Sequence, residues 1–396
     1  MTQAFGQSTD LQSLAHAEPA ALRPLPPSRA EAATVSLTLP QPTHTYDVHI
    51  GSGLLSELGK LMRAVAPHDR TAIIADINVA QTYGSTVVQA VQAAGYNGVF
   101  HKRQFGETNK NLRTVRELYE VFIQKRLERN SPVVALGGGV VGDSVGFAAS
   151  TYLRGVPFVQ VPTSLLSMVD ASVGGKVGVN LSHGKNLIGT FCQPMVVVID
   201  VDTLESLPRR ELRGGMAECV KHAVIRDPAL FAFIESQLDA IMNLDPATMV
   251  EFVRRNVQIK ADVVMADERE RGERAHLNFG HTFAHAIEAT AGFERFSHGE
   301  AVSLGMVAAT RLAATIGLCP ADLPDRLVEL LTRIGLPTYA HELAQNGHLI
   351  DVMRLDKKVA DGKIRLILPD RLGHVVIRSD IDEAQIAAVL NTLRRG

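Results

Sequence analysis

An α/β domain built on a mostly parallel sheet, followed by a mainly α-helical domain, is the fold class that the sequence predicts. Three observations predict it. From Thr34 to residue 199, short apolar runs of strand length alternate with amphipathic segments of helix length. One such run, 133–136, leads directly into Gly137-Gly138-Gly139-Val140-Val141-Gly142-Asp143. After Val201 the strand-like runs give way to one helical pattern after another. Alternating strands and helices build parallel sheets whose ligands sit at the strand carboxyl ends.

Composition sets the bounds. A chain of 396 residues suits two domains, each with its own core. Hydrophobic residues at 46% and charged residues at 21% are the proportions of a soluble globular protein. A formal net charge of -2 gives no global pull towards nucleic acid or an acidic membrane surface. Three scattered cysteines, Cys192, Cys219 and Cys319, fit a reducing cytoplasm better than a disulfide framework. No apolar run reaches the roughly 18 residues of a membrane span. Residues 1–33, with Leu22-Arg23-Pro24-Leu25-Pro26-Pro27 among Ala, Ser and Glu, lack periodicity and read as a disordered extension. The expected organisation is therefore an extension at 1–33, an α/β domain at 34–205 and a helical domain at 206–396.

Taken in order, strands are expected at 35–39 and 46–50 and a helix at 54–65. A strand at 71–75 ends at Asp76 and Asn78, and a helix at 87–94 stops at Gly95. An amphipathic helix covers 112–129, and a buried strand covers 133–136. The glycine loop then opens a helix at 144–150. Strands follow at 158–161 and 196–199, and 202–210 reads as a hinge. Helices are expected at 216–224, 228–242, 248–265, 283–291, 300–316 and 323–334. A small hairpin, 363–368 with 374–377, follows Asp356-Lys357-Lys358. There is no internal repeat.

Three stretches carry chemistry. The glycine loop leaves a strand and enters a helix, so its backbone N–H groups and the helix amino end suit a pyrophosphate. It is neither the usual dinucleotide fingerprint nor a Walker loop, and a tight turn is the bland alternative. The second stretch gathers Thr163, Ser164, Asp170, Lys176, Asn180, Lys185 and Asn186 among apolar residues that imply packing. Lysines with few nearby carboxylates suit an anionic ligand. Arg154, Lys221, Lys260 and Arg274 add to that inventory, whereas the run 267–274 is mixed in sign and reads as a solvated face, Arg274 excepted. The third stretch holds His281, His285 and His298, out of 14 histidines in the chain. His281 and His285 share one helical face, and His298 can return to it past a turn at Ala291-Gly292. A lone histidine is usually structural; this concentration points to a metal centre. Glu218 can complete a two-histidine, one-carboxylate set with His281 and His298, but sequence distance does not select it over Glu288 or Glu300.

Together these motifs resemble the 3-dehydroquinate synthases, a sugar phosphate cyclase family. The resemblance spans about 34–395. It rests on 137–143, Thr151-Tyr152-Leu153-Arg154-Gly155, Gln160-Val161-Pro162-Thr163-Ser164-Leu165-Leu166 and Asp170-Ala171-Ser172-Val173-Gly174-Gly175-Lys176. Gly184-Lys185-Asn186-Leu187-Ile188-Gly189, Leu277-Asn278-Phe279-Gly280-His281-Thr282 and His298-Gly299-Glu300-Ala301-Val302 complete it. It implies a Rossmann-like NAD-binding domain, a helical metal-binding domain, a site between them and a cytoplasmic homodimer. Glu218, His281 and His298 would bind zinc or cobalt. Asp76, Asn78, Glu107, Lys110, Gly138, Gly139, Val140, Asp143, Thr163, Ser164, Lys176, Lys185, Thr203, Leu204 and Ser206 would serve NAD. Asp170, Lys176, Asn186, Lys221, Lys260, Arg274, Asn278 and His285 would line the substrate pocket, with Arg154 reaching a phosphate from the neighbouring subunit and Lys357 or Lys358 also near phosphate. The implied reaction turns 3-deoxy-D-arabino-heptulosonate 7-phosphate into 3-dehydroquinate and phosphate, which makes the enzyme a carbon–oxygen lyase. Ala284, Ser164, Ser297 and Asn109 depart from common family residues without removing a ligand. A sister cyclase, a metal-dependent polyol dehydrogenase and a non-catalytic NAD-binding scaffold are the rival readings. The full set of pocket cations argues against the first two, and the intact metal triad against the third.

Overall fold

The strands at the centre of the sheet are mostly apolar, so they can be covered on both faces, and the architecture follows from that. The computed structural model describes residues 44–270, 272–291, 295–355 and 364–394. Six parallel strands form one sheet in the order β1-β8-β5-β4-β2-β3. They are β1 (Asp47–Gly51), β2 (Arg70–Asp76), β3 (Asn97–Arg103), β4 (Val133–Gly137), β5 (Phe158–Pro162) and β8 (Val196–Asp200). Every residue of β4, β5 and β8 is buried. Helices α1 (Leu58–Val65), α2 (Ile77–Ala93), α3 (Leu112–Gln124) and α4 (Gly139–Thr151) connect them. One apolar layer, with Leu58, Met62, Val87 and Val91, covers one face. Another, with Val115, Leu118, Phe122, Val145 and Ala148, covers the other.

An antiparallel hairpin, β6 (Lys176–Leu181) and β7 (Gly184–Phe191), stands outside this sheet. After Asp200 comes a short 3-10 helix, Val201–Ser206, and then the helical half. It comprises α5 (Arg209–Arg226), α6 (Pro228–Met242), α7 (Pro246–Ala266), α8 (His281–Ala291), α9 (His298–Thr315), α10 (Leu323–Ile334), α11 (Asn346–Leu355) and α12 (Glu383–Thr392). A second hairpin pairs β9 (Leu366–Arg371) with β10 (His374–Arg378). The large core of this half takes in Leu165, Val197 and Ile199 from the sheet side, so the two halves are packed together. No described helix is long and apolar enough to cross a membrane.

Several expectations are corrected. The helix expected at 87–94 begins at Ile77, because Asp76 caps it by accepting from the Asn78 N–H at 2.9 Å. The helix expected to run to 129 stops at Gln124, two residues before Arg126 at φ 52. β3 was not expected; it is an edge strand with three exposed residues, so it lacks an apolar run. The polar stretch around Lys176 and Lys185 is the β6–β7 hairpin. The hinge at 202–210 is a helical turn followed directly by α5, which starts before the expected 216. α8 and α9 begin at His281 and His298, earlier than expected, and α11 and α12 are additional. The strand expected at 35–39, the extension at 1–33, Gly292, Lys357, Lys358 and Lys363 lie outside the described residues.

Candidate metal centre and cofactor cleft

Three helices meet where the metal ligands were expected, and glycines let them. Gly214 stands one turn before Glu218 on α5, and Gly299 follows His298 on α9. A Cβ on Gly299 would lie 2.2 Å from the Gly214 carbonyl oxygen, so the two backbones touch there. Gly280, at φ +78, precedes His281, and a Cβ on Gly305 of α9 would lie 2.1 Å from its carbonyl oxygen. The start of α9 is fixed by a capping box between Ser297 and Glu300. Arg210, at the start of α5, grips the Glu300 carboxylate with two bonds of 2.8 and 2.7 Å.

The ligand atoms of Glu218, His281 and His298 consequently lie within 4.8 Å of one another. Glu218 Oε1 is 3.5 Å from His281 Nε2 and 3.3 Å from His298 Nε2. Each ring is backed at its other nitrogen. His281 Nδ1 is 3.1 Å from the Phe279 carbonyl, and His298 Nδ1 is 3.5 Å from Glu288 Oε1. Both Glu218 oxygens are buried without a hydrogen-bond partner, although Lys221 makes an ion-pair contact with one of them. A buried carboxylate and two converging imidazoles, short of hydrogen-bond donors, form a donor set that suits zinc or cobalt. The open choice among glutamates is thereby narrowed: Glu300 serves the cap, and Glu288 stands behind a ring.

The charge states follow from burial and from these close contacts. Burial would raise the Glu218 carboxyl, but Lys221, His281 and His298 hold it well below the usual range. Burial pushes His281 well down, leaving a neutral imidazole. Burial also opposes charge on His298, yet Glu218 and Glu288 raise it to about 10.

Cations surround this centre. Asp170 is in ion-pair contact with Lys260. Burial favours its neutral form, but Lys260 and Lys221 outweigh burial and hold the carboxyl below its ordinary range. Burial works against charge on Lys221 as well, and Glu218 and Asp170 raise it above its ordinary value. The guanidinium of Arg274, a residue 1% exposed, donates to the Gly174 carbonyl at 3.1 Å and also to that of Glu268. His285 stands edge-on to His281, with ring centroids 5.6 Å apart. Glu270 pairs with Lys176 and accepts from Asn278 Nδ2 at 2.6 Å. The solvated-face reading of 267–274 is corrected at Glu270, which turns inward from a left-handed backbone at φ 57, while Glu268 and Arg269 stay exposed. Nothing in the sequence marked it.

A cleft of about 700 Å³ runs from the carboxyl ends of the strands to the metal centre. Asp76, Asn78, Glu107, Gly138, Gly139, Val140, Thr163, Ser164 and Ser206 line it, as does His298 at its far end. The amino end of α4 opens at Gly138 with no side-chain cap, and a Cβ on Gly138 would come within 3.4 Å of Ser164 Oγ. Space and uncapped N–H groups together suit a pyrophosphate. Phe105, Leu166 and Glu211 also line the cleft and were not foreseen.

Other expected cofactor residues stand behind the wall. Lys110 bridges Asp143 and Asn186, at 2.5 Å each, and Asn180 Nδ2 donates to Glu107 at 2.7 Å. Asn186 holds a left-handed backbone at φ 53. Lys185 Nζ is 3.3 Å from Glu288 Oε1. Thr203 and Leu204 are buried, and Thr203 Oγ1 donates to the Asp200 carbonyl at 2.7 Å. Arg154 is exposed past the far end of α4, about 20 Å along the helix from the glycine loop.

Comparisons with known proteins show which family the chain resembles. The family model described as 3-dehydroquinate synthase N-terminal matches residues 101–214, and the one described as 3-dehydroquinate synthase C-terminal matches 215–359. The 3-dehydroquinate synthase of Symbiobacterium thermophilum is 47% identical over 352 residues, covering 88% of this chain and 98% of its own. That of a Synechocystis species is 44% identical over 357 residues, covering 90% and 99%. Among solved structures, a 2-epi-5-epi-valiolone synthase from Streptomyces hygroscopicus with NAD+ and Zn2+ bound superposes with a TM-score of 0.83 at 30% identity, covering 90% of this chain and 98% of its own. A 2-deoxy-scyllo-inosose synthase complexed with carbaglucose-6-phosphate, NAD+ and Co2+ gives 0.78 at 25%, covering 87% and 96%. The NADH-dependent butanol dehydrogenase A of Thermotoga maritima gives 0.65 at 16%, over 90% and 99%, a likeness of fold alone.

Proposed function

The chain belongs to the 3-dehydroquinate synthase family, and from that premise we propose that it converts 3-deoxy-D-arabino-heptulosonate 7-phosphate to 3-dehydroquinate and phosphate. The reaction serves the shikimate pathway, towards chorismate and the aromatic amino acids. The single observation that carries this reading is His298, which belongs both to the ligand triad and to the wall of the cleft. A carbinol held at the triad would thus lie at one end of a dinucleotide site.

Glu218, His281 and His298 hold zinc or cobalt, and the cleft holds NAD. When bound, the metal polarises the substrate alcohol, and NAD takes up hydride and later returns it, so the net chemistry is that of a lyase. The chain's own residues do the rest. Backbone N–H groups at the amino end of α4 hold the pyrophosphate. Lys221, Lys260, Arg274, Lys176, Asn186 and Asn278 bind and orient the anionic substrate and offset charge as it develops. Asp170 favours the charged forms of Lys260, through their ion-pair contact, and of Lys221, through its nearby negative charge. His285 exchanges protons at the pocket wall. Arg154, exposed and far along α4, reaches the phosphate of the neighbouring subunit in a cytoplasmic homodimer. The boundary between the NAD-binding and helical domains falls at about residues 205–206.

Purified, metal-loaded protein given the heptulosonate phosphate and catalytic NAD should release phosphate and dehydroquinate in equal amounts, without net NADH. Accumulating NADH would instead identify a dehydrogenase. Turnover of sedoheptulose 7-phosphate alone would identify a sister cyclase.

A further inference from the structure

The buried carboxylate of Glu288 has no part in the chemistry above, yet it joins two of its components. Glu288 is 4% exposed and lies on α8, seven residues after His281. That spacing puts the two on one face, two turns apart. One oxygen, Oε1, is 3.5 Å from His298 Nδ1 and 3.3 Å from Lys185 Nζ. His298 turns its opposite nitrogen, Nε2, to Glu218 at 3.3 Å. The imidazole is therefore held between two carboxylates, and Glu288 stands on the side away from the ligand cluster. A ring nitrogen backed by a carboxylate fixes both the tautomer and the orientation of a metal-binding histidine. His281 is backed differently, by a neutral carbonyl at 3.1 Å. Lys185 is the second residue of β7, so the same oxygen ties the metal-side helix to the hairpin that carries Asn186.

We propose that Glu288 is a positioning residue, which aims His298 Nε2 at the metal and couples that ligand to Lys185 on the β6–β7 hairpin. The inference rests on reading Glu218, His281 and His298 as a metal centre. A buried carboxylate serving an imidazole N–H and a lysine is costly to keep unless both are in place, so each partner feels the loss of the other.

The test uses the full-length protein reconstituted with Co2+, whose visible absorption reports ligand geometry without any turnover. Glu288→Gln keeps the side-chain size and removes the charge. It should weaken Co2+ and Zn2+, measured by chelator competition, by about 10- to 100-fold and shift the cobalt bands. Lys185→Gln alters no ligand and is partly exposed, so it should fold; it should shift the cobalt bands in the same direction with a smaller loss of affinity. A Glu288→Gln protein with the wild-type spectrum and affinity would overturn the proposal. If that variant fails to fold, an unchanged spectrum in Lys185→Gln would overturn it instead. Wild-type protein that takes up no Co2+, and that Glu218→Gln leaves no worse, would refute the metal centre itself and this inference with it.

Discussion

Gly299→Ala is the sharpest perturbation of the metal centre that leaves every ligand in place. The added Cβ would stand 2.2 Å from the Gly214 carbonyl oxygen, 2.4 Å from its Cα and 2.6 Å from its carbonyl carbon. Non-bonded carbon atoms settle at about 3.5–4.0 Å, so α5 and α9 must part by about 1 Å or more. All three obstacles are backbone, and no side-chain rotation relieves them. Overpacking of this kind costs about 1–3 kcal/mol of stability. Glu218 lies one turn beyond Gly214 and His298 immediately precedes Gly299, so the separation passes directly into the distance between two ligands. Zn2+ affinity by chelator competition should fall at least tenfold, a loss of about 1.4 kcal/mol or more of binding free energy. Thermal melting of the metal-free protein reads the stability cost separately. Gly347→Ala is the control, since nothing lies within 4 Å of its added Cβ. A Gly299→Ala protein that matches wild type in both melting and metal affinity would refute the idea that glycine contact sets the ligand spacing.

Four further predictions follow from named contacts. His222 is fully buried beside Asn256 at 3.2 Å, and burial and Lys221 depress it from 6.5 to about 4. Above pH 6.5 it is neutral in both folded and unfolded chains; between pH 6.5 and 4 only the unfolded chain takes the proton, so acid removes about 3 kcal/mol, and denaturant titrations of His222→Gln should lose that much less than wild type. Lys110→Met strands the Asp143 carboxylate and frees Asn186, which should cost about 3 kcal/mol by denaturant melting and weaken NAD in a fluorescence titration. Glu218→Gln should abolish stoichiometric Zn2+ uptake by elemental analysis while the far-ultraviolet circular dichroism stays that of wild type. Arg154→Ala and Glu218→Ala proteins, each inactive alone, should recover about a quarter of wild-type turnover when unfolded and refolded together, and no recovery would show that Arg154 does not serve a neighbour's site.

Much of this was legible because the physics is local. The apolar runs of β2, β4, β5 and β8 announce central strands, and the step from β4 into glycines announces the ligand end of the sheet. The histidine spacing announces the metal centre. What was not legible depends on long-range pairing. β3 pairs along only one edge, so its exposed residues carry no apolar signature. The β6–β7 hairpin is specified by pairing with itself outside the main sheet, and its burial alternates irregularly. Glu218, Glu288 and Glu300 are indistinguishable by spacing. The backbone contact of Gly214 with Gly299 brings the first to the histidines, while a ring and a cap occupy the others. Glu270 was hidden because a mixed run of charges looks solvated until one member turns inward.

The same contacts explain why one site needs both halves of the chain. The sheet supplies an uncapped helix end and a glycine wall, which hold an anion but cannot polarise an alcohol. The helices supply three ligand atoms within 4.8 Å, which can polarise an alcohol but offer no surface for a dinucleotide. A hydride can pass between them only if the two sites share an edge, and the shared edge is His298, at the amino end of α9. Its position is fixed from four directions: the capping box below it, Arg210 through Glu300, the glycine contact with α5, and Glu288 behind the ring. Displacement along any of these moves His298, and with it the ligand cluster, relative to the cleft. Changes at Arg210 should therefore weaken metal binding and NAD-dependent turnover together, although Arg210 touches neither.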